Sequence, residues 1–476
     1  MLFNSHNVRS YLIFTGLAFA ARSLWSQSVL AAYVYITESE SPTAVGNLTG
    51  AMGLAQVLAS FPAGIVADKY RRDSVIKASL VVGFGSLIVT SCAVWSSNYY
   101  LLLSGTSMYG AFYGMAYTSG EALLSDSTPD GSRSKVLTRK QQVQSFGTCL
   151  GPLVAVAMFA GLGNEWTEED CEWVILAGQG VCVPALISLC RLDDDRAGEG
   201  QEEEEEEEGE VEGEDLLDVT GGEGAEGKEE EEEEEEGESD DKEEVRNRRV
   251  PIIIATSDLI SGLASGMSIR FFPIFFYDNL GLSPIVVQCL YIISPLIIIY
   301  LSRLARRISL SRGRCQTACL FKWVGITSMG FMLLSYDRNC SVYLTLFLYV
   351  LRTTTMNCTK ALTSSQLYDC VKKSERGRFT FLESVNMFSW SGSAAVGGYL
   401  VGEIGIVGNF LVTGTMQLAA TMPLLALFGL PSEGEQAERR RGSSGRRRRK
   451  RRTGNSAKGW REGEGRGLSE PLIKNP

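Results

Sequence analysis

Apolar stretches of about 20 residues follow one another along two long blocks of the sequence, as helices that cross a bilayer do. Charged or turn-rich clusters divide these blocks into twelve predicted spans. The spans cover roughly residues 10–36, 44–66, 74–95, 99–124, 139–161, 172–190, 250–277, 283–303, 314–335, 341–363, 381–402 and 406–430. The sequence therefore predicts an all-α membrane protein with twelve transmembrane helices, and it excludes a soluble globular enzyme.

The average charge and hydropathy of the chain do not show these apolar stretches, because one segment is strongly acidic. Residues 193–244 contain 31 Asp or Glu and three Lys or Arg, so the other 424 residues carry 42 basic and 25 acidic side chains, a net charge of +17. Runs of like charge cannot bury enough apolar surface to fold. We therefore expect four regions, in chain order. They are a six-helix bundle (1–192), a disordered acidic linker (193–249), a second six-helix bundle (250–430) and a disordered basic tail (431–476).

Basic residues in the short loops predict the orientation of the chain. The loops after spans 2, 4, 8 and 10 hold 16 Lys or Arg, whereas the loops on the other side hold one, Arg338. Because cytoplasmic loops carry the excess of Lys and Arg, both termini and the linker are predicted to be cytoplasmic. The tail holds ten basic residues between Arg439 and Arg452, which suit the acidic linker or anionic lipid. Twelve spans make nucleic acid an implausible partner.

The two predicted bundles repeat each other in sequence. The Ser-Pro pairs at 41 and 283 are 242 residues apart. The segment from Glu121 to 125 resembles the one from Lys360 to 364, an offset of 239, and Arg133-Ser-Lys resembles Arg376-Gly-Arg, an offset of 243. These concordant offsets predict two homologous halves. Transporters built from two such halves hold their solute near the bilayer midplane.

The loop after the second span carries a recognisable motif, Gly64-Ile-Val-Ala-Asp68-Lys69-Tyr-Arg71-Arg72. It resembles the signature of the major facilitator superfamily, Gly-x-x-x-Asp-Arg/Lys-x-Gly-Arg-Arg/Lys. Gly64, Asp68, Lys69 and Arg72 match, whereas Arg71 stands where the family prefers Gly. The second half departs further, since Arg306 occupies the place where Asp is expected. The resemblance extends over all twelve spans in order.

This resemblance implies a gate at the cytoplasmic side. Asp68 is expected to pair with basic residues such as Arg133 and to cap the positive N-terminus of span 11 near Thr380. Glu121 and Lys360 end corresponding helices in opposite halves, so we also expect them to form a bridge between the halves that breaks when the cytoplasmic side opens.

Span 5 contains Gly147-Thr-Cys-Leu-Gly151-Pro152, which resembles the Gly-x-x-x-Gly-Pro core of a motif in antiporter branches of the family. A helix bend at Pro152 would help to close one side of a cavity. The second half of that motif is absent, since Ala155 and Val156 follow. A packing face of small residues is the alternative interpretation.

The resemblance implies that spans 1, 4, 7 and 10 line a central cavity, and charged residues inside a membrane normally face such a cavity or each other. Arg22 and Arg352 are predicted near mid-depth and Arg270 toward the outer half, so we expect these three to bind substrate. Glu121 and Asp258 are predicted nearer the cytoplasm as the proton-coupling carboxylates. The alternative is that one or more arginines bind helix-end carbonyls or an acid.

Together these features predict a secondary transporter of a small solute, one carrying an anionic group, that works by alternating access as a proton-coupled antiporter. The alternatives are an anion facilitator or symporter and, from another class, a receptor or scaffold that does not transport. We expect no enzyme activity, no cofactor, no metal site and a functional monomer. The P-loop motif of ATP-driven pumps is absent from the sequence.

Overall fold

The computed structural model describes residues 5–128, 133–196, 252–360, 362–363 and 376–428, without the side chains of residues 68, 133–135, 137–138 and 376–388. The first half contains seven helices. They are α1 (His6–Trp25), α2 (Val29–Thr37), α3 (Pro42–Lys69), α4 (Arg72–Trp95), α5 (Tyr99–Asp126), α6 (Arg133–Leu162) and α7 (Glu168–Leu189).

The second half follows the same plan. Its helices are α8 (252–269), the short α9 (Phe272–Ile274), which continues as a π-helix (Phe275–Asn279), α10 (Pro284–Arg312), α11 (Arg314–Asp337), α12 (Val342–Asn357) and α13 (Arg376–Leu425). Gly405 interrupts α13 with a φ of 75°, a value that glycine adopts without a steric penalty. The two arms of α13 therefore correspond to the predicted spans 11 and 12.

By length and apolar composition, eight helical segments of the described chain qualify as membrane spans. One of them, Ser389–Leu425, contains the Gly405 break and crosses twice. These eight segments account for nine of the predicted spans. The other three are formed by α1 together with α2, by α5 and by α12. These three are shorter or less apolar, and they carry Arg22, Glu121 and Arg352.

The predicted repeat is confirmed by where the helices begin. Ser41 and Ser283 are the N-cap residues of α3 and α10, and each helix starts with the proline that follows. The first span of each half is also broken at a matched place, at residues 26–28 between α1 and α2 and at residues 270–271 between α8 and α9.

Two predicted boundaries are wrong. The predicted span 5 begins at residue 139, whereas α6 is already helical at Arg133, so the helix includes residues that were counted in the preceding loop. The predicted span 8 ends at residue 303, whereas α10 continues to Arg312. In both places the helix extends beyond the apolar stretch. Backbone hydrogen bonding continues where charged side chains reach water, so hydropathy underestimates the length of the helix.

The first residues of the predicted acidic linker, 193–196, fold against the bundle. Asp194–Arg196 forms a 3₁₀ turn. The Asn7 side chain donates to the Asp193 carbonyl (2.7 Å), and Arg71 donates to the Asp195 carboxylate (2.8 Å). Hydrogen bonds to Asp195 and Asp73 raise the pKa of Arg71 above its ordinary value. The start of the linker is therefore tied to the loop that follows α3.

We call the end of the bundle with the loops after α3, α5 and α10 the basic face, and the other end the opposite face. The halves meet at the opposite face through backbone groups. The Trp166 indole donates to the Leu282 carbonyl (2.9 Å), and the Ile285 N–H donates to Asn164 Oδ1 (3.0 Å). These contacts close the opposite face.

Close packing between α3 and α13 reinforces this closure. A Cβ atom on Gly46 would lie 2.6 Å from the Ala394 carbonyl oxygen, and one on Gly53 would overlap the Ser391 side chain. Glycine therefore lets the two backbones approach more closely than larger residues would. Both contacts lie in the half of α3 nearer the opposite face.

Candidate functional site

Arg352 lies on α12 and is 7% exposed. Its guanidinium carbon is 4.9 Å from the centre of the Phe272 ring, which stacks on Phe410 at 4.4 Å. The Nε atom of Arg352 is buried and has no hydrogen-bond partner among the residues that the structure describes. An aromatic face attracts a cation but does not neutralise it, so Arg352 keeps the capacity to bind an anion.

Arg22 lies on α1, three residues before the break that follows Trp25. Its guanidinium carbon is 5.0 Å from the centre of the Tyr113 ring of α5. Arg22 is half-buried, and it lies one helical turn before Ser26, whose carbonyl accepts a hydrogen bond from Arg270. Two cations from opposite halves therefore share this part of the molecule.

Arg270 stands at the break between α8 and α9 and is 7% exposed. Its Nη1 atom donates to the carbonyl of Ser26 and, at 3.4 Å, to that of Gln27. These carbonyls lie in the break between α1 and α2, where the helical hydrogen-bond pattern stops. Arg270 thus binds helix-end carbonyls, as the alternative interpretation of these arginines expects. It must break these hydrogen bonds before its Nη1 atom can bind a solute.

Glu121 forms its ion pair within its own half. The Lys140 ammonium donates to Glu121 Oε1, and the Tyr11 hydroxyl donates to the same oxygen at 2.8 Å. Lys140 also lies over the Tyr117 ring at 5.4 Å. The expected bridge from Glu121 to Lys360 is not formed in this conformation, in which Lys140 occupies the carboxylate and Lys360 is exposed. It stays a prediction for a conformation that is closed at the basic face. Lys140 lies one residue inside the predicted span 5, and it was not considered as a partner of Glu121 from the sequence.

Asp258 of α8 also has a lysine partner, Lys322 of α11, with 3.6 Å between Nζ and Oδ1. The Lys322 side chain is only 8% exposed. Lys322 was missed in the sequence, although it is the only charged residue between 315 and 336 and a lone charge in an apolar span is itself a signal. The pair lies between α8 and α11 and joins two helices of the same half.

The signature loop is partly described. Gly64 faces α5, where an added Cβ would lie 3.6 Å from Thr118 Cγ2. Arg72 forms an ion pair with Asp126, its backbone N–H donates to Asp194 Oδ2 (3.1 Å), and Lys69 is exposed.

The side chains of Asp68, Arg133 and Thr380 lie outside the described residues. The gating contacts expected of Asp68 therefore stay a prediction.

The small residues of α6 pack against α1. A Cβ atom on Gly147 would lie 2.5 Å from the Gly16 carbonyl oxygen, and one on Gly151 would overlap Ser23 and lie 2.6 Å from the Ala20 carbonyl oxygen. These close contacts are the ones expected if the small residues of α6 form a packing face. It also supports the segment of α1 that carries Arg22. The helix α6 runs unbroken through Pro152, so a gating bend there stays a prediction.

The chain was compared with known proteins. Residues 12–394 match the family model of the Major Facilitator Superfamily. The uncharacterized MFS-type transporter YqjV of Bacillus subtilis (strain 168) is 26% identical over 149 residues, which are 31% of this chain and 35% of that protein. The match thus spans about a third of that relative.

Solved structures share the fold over nearly the whole chain. A D-xylose–proton symporter superposes with a TM-score of 0.63 at 15% identity, covering 89% of this chain and 97% of the symporter. A bacterial homologue of the human lysosomal transporter Spinster, in an inward-facing and occupied conformation, gives 0.62 at 13% identity, with 90% and 97% covered. The family model matches most of the chain and the twelve-span fold agrees with it, so this chain belongs to the major facilitator superfamily.

Proposed function

We propose that this chain is a secondary transporter that moves a small solute carrying an anionic group across a membrane by alternating access. The carrying observation is the proximity of Arg22 and Arg270, two like charges from opposite halves: Arg270 binds the carbonyl of Ser26, which follows Arg22 by one helical turn. An anion between them would relieve their repulsion and would link the halves. Arg352, with its unpartnered Nε, is the third proposed ligand.

Bidentate geometry favours a carboxylate, phosphate or sulfate group on the solute. The planar fork of a guanidinium matches two oxygens of such a group, and Arg keeps its charge at any physiological pH. Tyr113 and Phe272, which lie beside Arg22 and Arg352, supply an aromatic surface for the rest of the solute. With the opposite face closed, we expect the solute to reach this site from the basic face.

We further propose that transport is proton-coupled antiport through Glu121 and Asp258. Protonation of Glu121 would remove the negative charge that Lys140 now binds. The ion pair and the proton therefore compete for the same carboxylate, which is the property that a coupling residue needs.

An anion facilitator or symporter is the second candidate, and one observation favours it. Both carboxylates already have a lysine partner, Lys140 or Lys322. An ion pair between helices of the same half is a structural role that a transporter without proton coupling would also need. A scaffold without transport is less well supported, because such a protein has no need of buried, unpaired guanidinium groups.

Flux measurements on the purified protein in proteoliposomes distinguish these functions. We would impose a pH gradient, supply a panel of organic and inorganic anions with matched cationic and neutral compounds, and record solute and proton movement together. We expect anion movement with protons moving in the opposite direction. Anion flux without proton flux would select the facilitator, flux of cations alone would overturn the anionic solute, and no flux with any compound would favour the scaffold.

A further inference from the structure

A buried polar seam runs between α8 and the second arm of α13. On α13 its residues recur every four positions, and on α8 three serines do the same, so each set occupies one face of its helix. The seam consists of Asn409, Thr413, Gln417 and Thr421 on α13 and of Ser257, Ser261 and Ser265 on α8. Each of its four α13 residues is at most 1% exposed. None of these residues belongs to the solute site proposed above.

Direct hydrogen bonds hold the two ends of the seam together. Ser257 donates to the Ala420 carbonyl (2.7 Å), and the Asn409 amide donates to the Met267 carbonyl (2.8 Å). The helices are therefore antiparallel. Ten residues of α8 separate Ser257 from Met267, a length of about 15 Å. The seam thus extends over about half of a hydrocarbon core that is about 30 Å thick.

Part of the seam has no hydrogen-bond partner among the protein groups that the structure describes. Four oxygen atoms are buried without a hydrogen-bond partner among the described residues: Ser261 Oγ, Asn409 Oδ1, Thr413 Oγ1 and Gln417 Oε1. Gln417 uses only its amide nitrogen, which donates to Ser265 at 3.2 Å. An unpaired polar group is costly in a membrane interior, so a run of four at one helix interface calls for a partner beyond the residues that the structure describes.

The two ends of the seam lie beside charged groups. At the end nearer the basic face, Asp258 follows Ser257 directly and pairs with Lys322, whose Nζ is buried and makes no hydrogen bond within the described chain. The other group near this ammonium is the buried thiol of Cys319. At the other end, Met267 lies three residues before Arg270, at the break that carries the proposed solute site. The seam therefore joins a titratable pair to the centre of the molecule.

We propose that this seam binds a row of water molecules and forms a proton route between Asp258 and the central site. Water fits the set of free groups because it donates to the amide oxygens of Asn409 and Gln417 and accepts from the Lys322 ammonium. A metal cation fits less well, because the positive charge of Lys322 at one end of the seam would repel it.

The proposed step is a proton transfer alone. A proton that reaches Asp258 neutralises its carboxylate and weakens its attraction to Lys322, and the same proton leaves along the water row. The proton role rests on the proposed coupling of transport to protons. The water row does not.

The first test is a cryo-EM map of the full chain in lipid nanodiscs at a resolution that shows ordered water. We expect density within hydrogen-bond distance of Thr413 Oγ1 and Gln417 Oε1. A dry seam in a map that shows water elsewhere in the bundle would overturn the proposal, whatever the transport measurements give. A binding site that fills only with sodium in the buffer would overturn it as well.

The second test removes polar atoms from the seam. Thr413→Val and Gln417→Leu should abolish the proton movement that accompanies solute, while solute exchange without a gradient continues. Thr415→Val is the matched control, because Thr415 is on the same helix arm but exposed.

A wild-type ratio of protons to solute in both seam variants would overturn the proton route. If the wild-type protein moves solute without protons, the proposed coupling fails and the proton role fails with it. The map alone then decides whether the water row exists.

Discussion

Buried guanidinium groups are the residue-scale feature that most needs a partner in this molecule. An Arg side chain at the centre of a bilayer costs at least roughly 2.5 kcal/mol. Arg270 offsets this cost through the carbonyls of Ser26 and Gln27, whereas Arg22 and Arg352 lie against the aromatic rings of Tyr113 and Phe272. Their remaining capacity for hydrogen bonding is what makes them the proposed solute ligands.

We predict that Arg22→Gln and Arg352→Gln raise the apparent substrate constant. Loss of one charge-assisted hydrogen bond costs about 1.5–3 kcal/mol, which corresponds to roughly 10- to 100-fold in affinity. Uptake into proteoliposomes across a range of solute concentrations measures the constant, and Arg338→Gln, at an exposed loop position, is the control. Unchanged constants in both variants would contradict the assignment.

The partner of Glu121 can be identified by charge reversal. Either Glu121→Lys or Lys140→Glu places like charges together, and we expect each to lose transport. The double variant restores an attractive pair and should recover activity. The swap of Glu121 with Lys360 is the control and should not recover, because Lys360 is exposed and does not contact Glu121 here. Recovery in that swap alone would show that the bridge between the halves forms in the working cycle.

At the scale of elements, the first helix of each half is broken and its neighbours hold the pieces in place. The segment of α1 before its break packs on α6 through Gly147 and Gly151. After the break, the Gln288 amide of α10 donates to Ser28 Oγ at 2.9 Å. The polar groups of the break therefore find partners on the second half, which keeps an irregular backbone stable inside the membrane.

We predict that Gly151→Ala destabilises the protein and that Gly161→Ala does not. A Cβ on Gly151 would overlap Ser23, whereas nothing lies within 4 Å of a Cβ on Gly161 of the same helix. Overpacking of this kind costs about 1–3 kcal/mol. Thermal unfolding in detergent should show a lower midpoint for Gly151→Ala alone. Equal midpoints in the two variants would mean that α1 can move away from α6 without loss.

At the scale of the whole molecule, the halves are joined near the opposite face and at the breaks. The Tyr35 hydroxyl donates to the Asp278 carboxylate at 3.3 Å, beside the contacts of Trp166 and Asn164 with the second half. Arg270 belongs to this set because its carbonyl partners lie on the other half. Opening of the opposite face must therefore release Arg270, so its position and the closure of this face are linked.

We predict that Arg270→Gln shifts the protein toward a conformation open at the opposite face, even without solute. The Ile285 N–H is bound by Asn164 across the halves, so its hydrogen exchange reports this opening. Exchange of the peptide around residue 285 should be faster in the variant, as measured by mass spectrometry in nanodiscs. Arg352→Gln is the control, since Arg352 is equally buried but contacts Phe272 of its own half. Identical exchange in the wild type and Arg270→Gln would refute the link.

The sequence predicted the number of spans, their order and the repeat. Runs of apolar residues are local, and a bilayer requires each run to form a helix of sufficient length, so the pattern determines the element. The Ser-Pro pairs at 41 and 283 even located two helix starts. The breaks after Trp25 and near Arg270 were not predicted, because the flanking residues are as apolar as those of a continuous span.

Pairing between side chains was decided by the tertiary structure. The sequence predicted only how deep in the membrane Glu121 and Asp258 lie. Their ion-pair partners, Lys140 and Lys322, lie on other helices and could not be identified from it. Depth along a helix follows from counting residues, whereas the direction in which a side chain points depends on how the helix is rotated against its neighbours. The charges in the membrane were therefore determined by the sequence alone, and which of them remain free to bind a solute was decided by the packing of the helices.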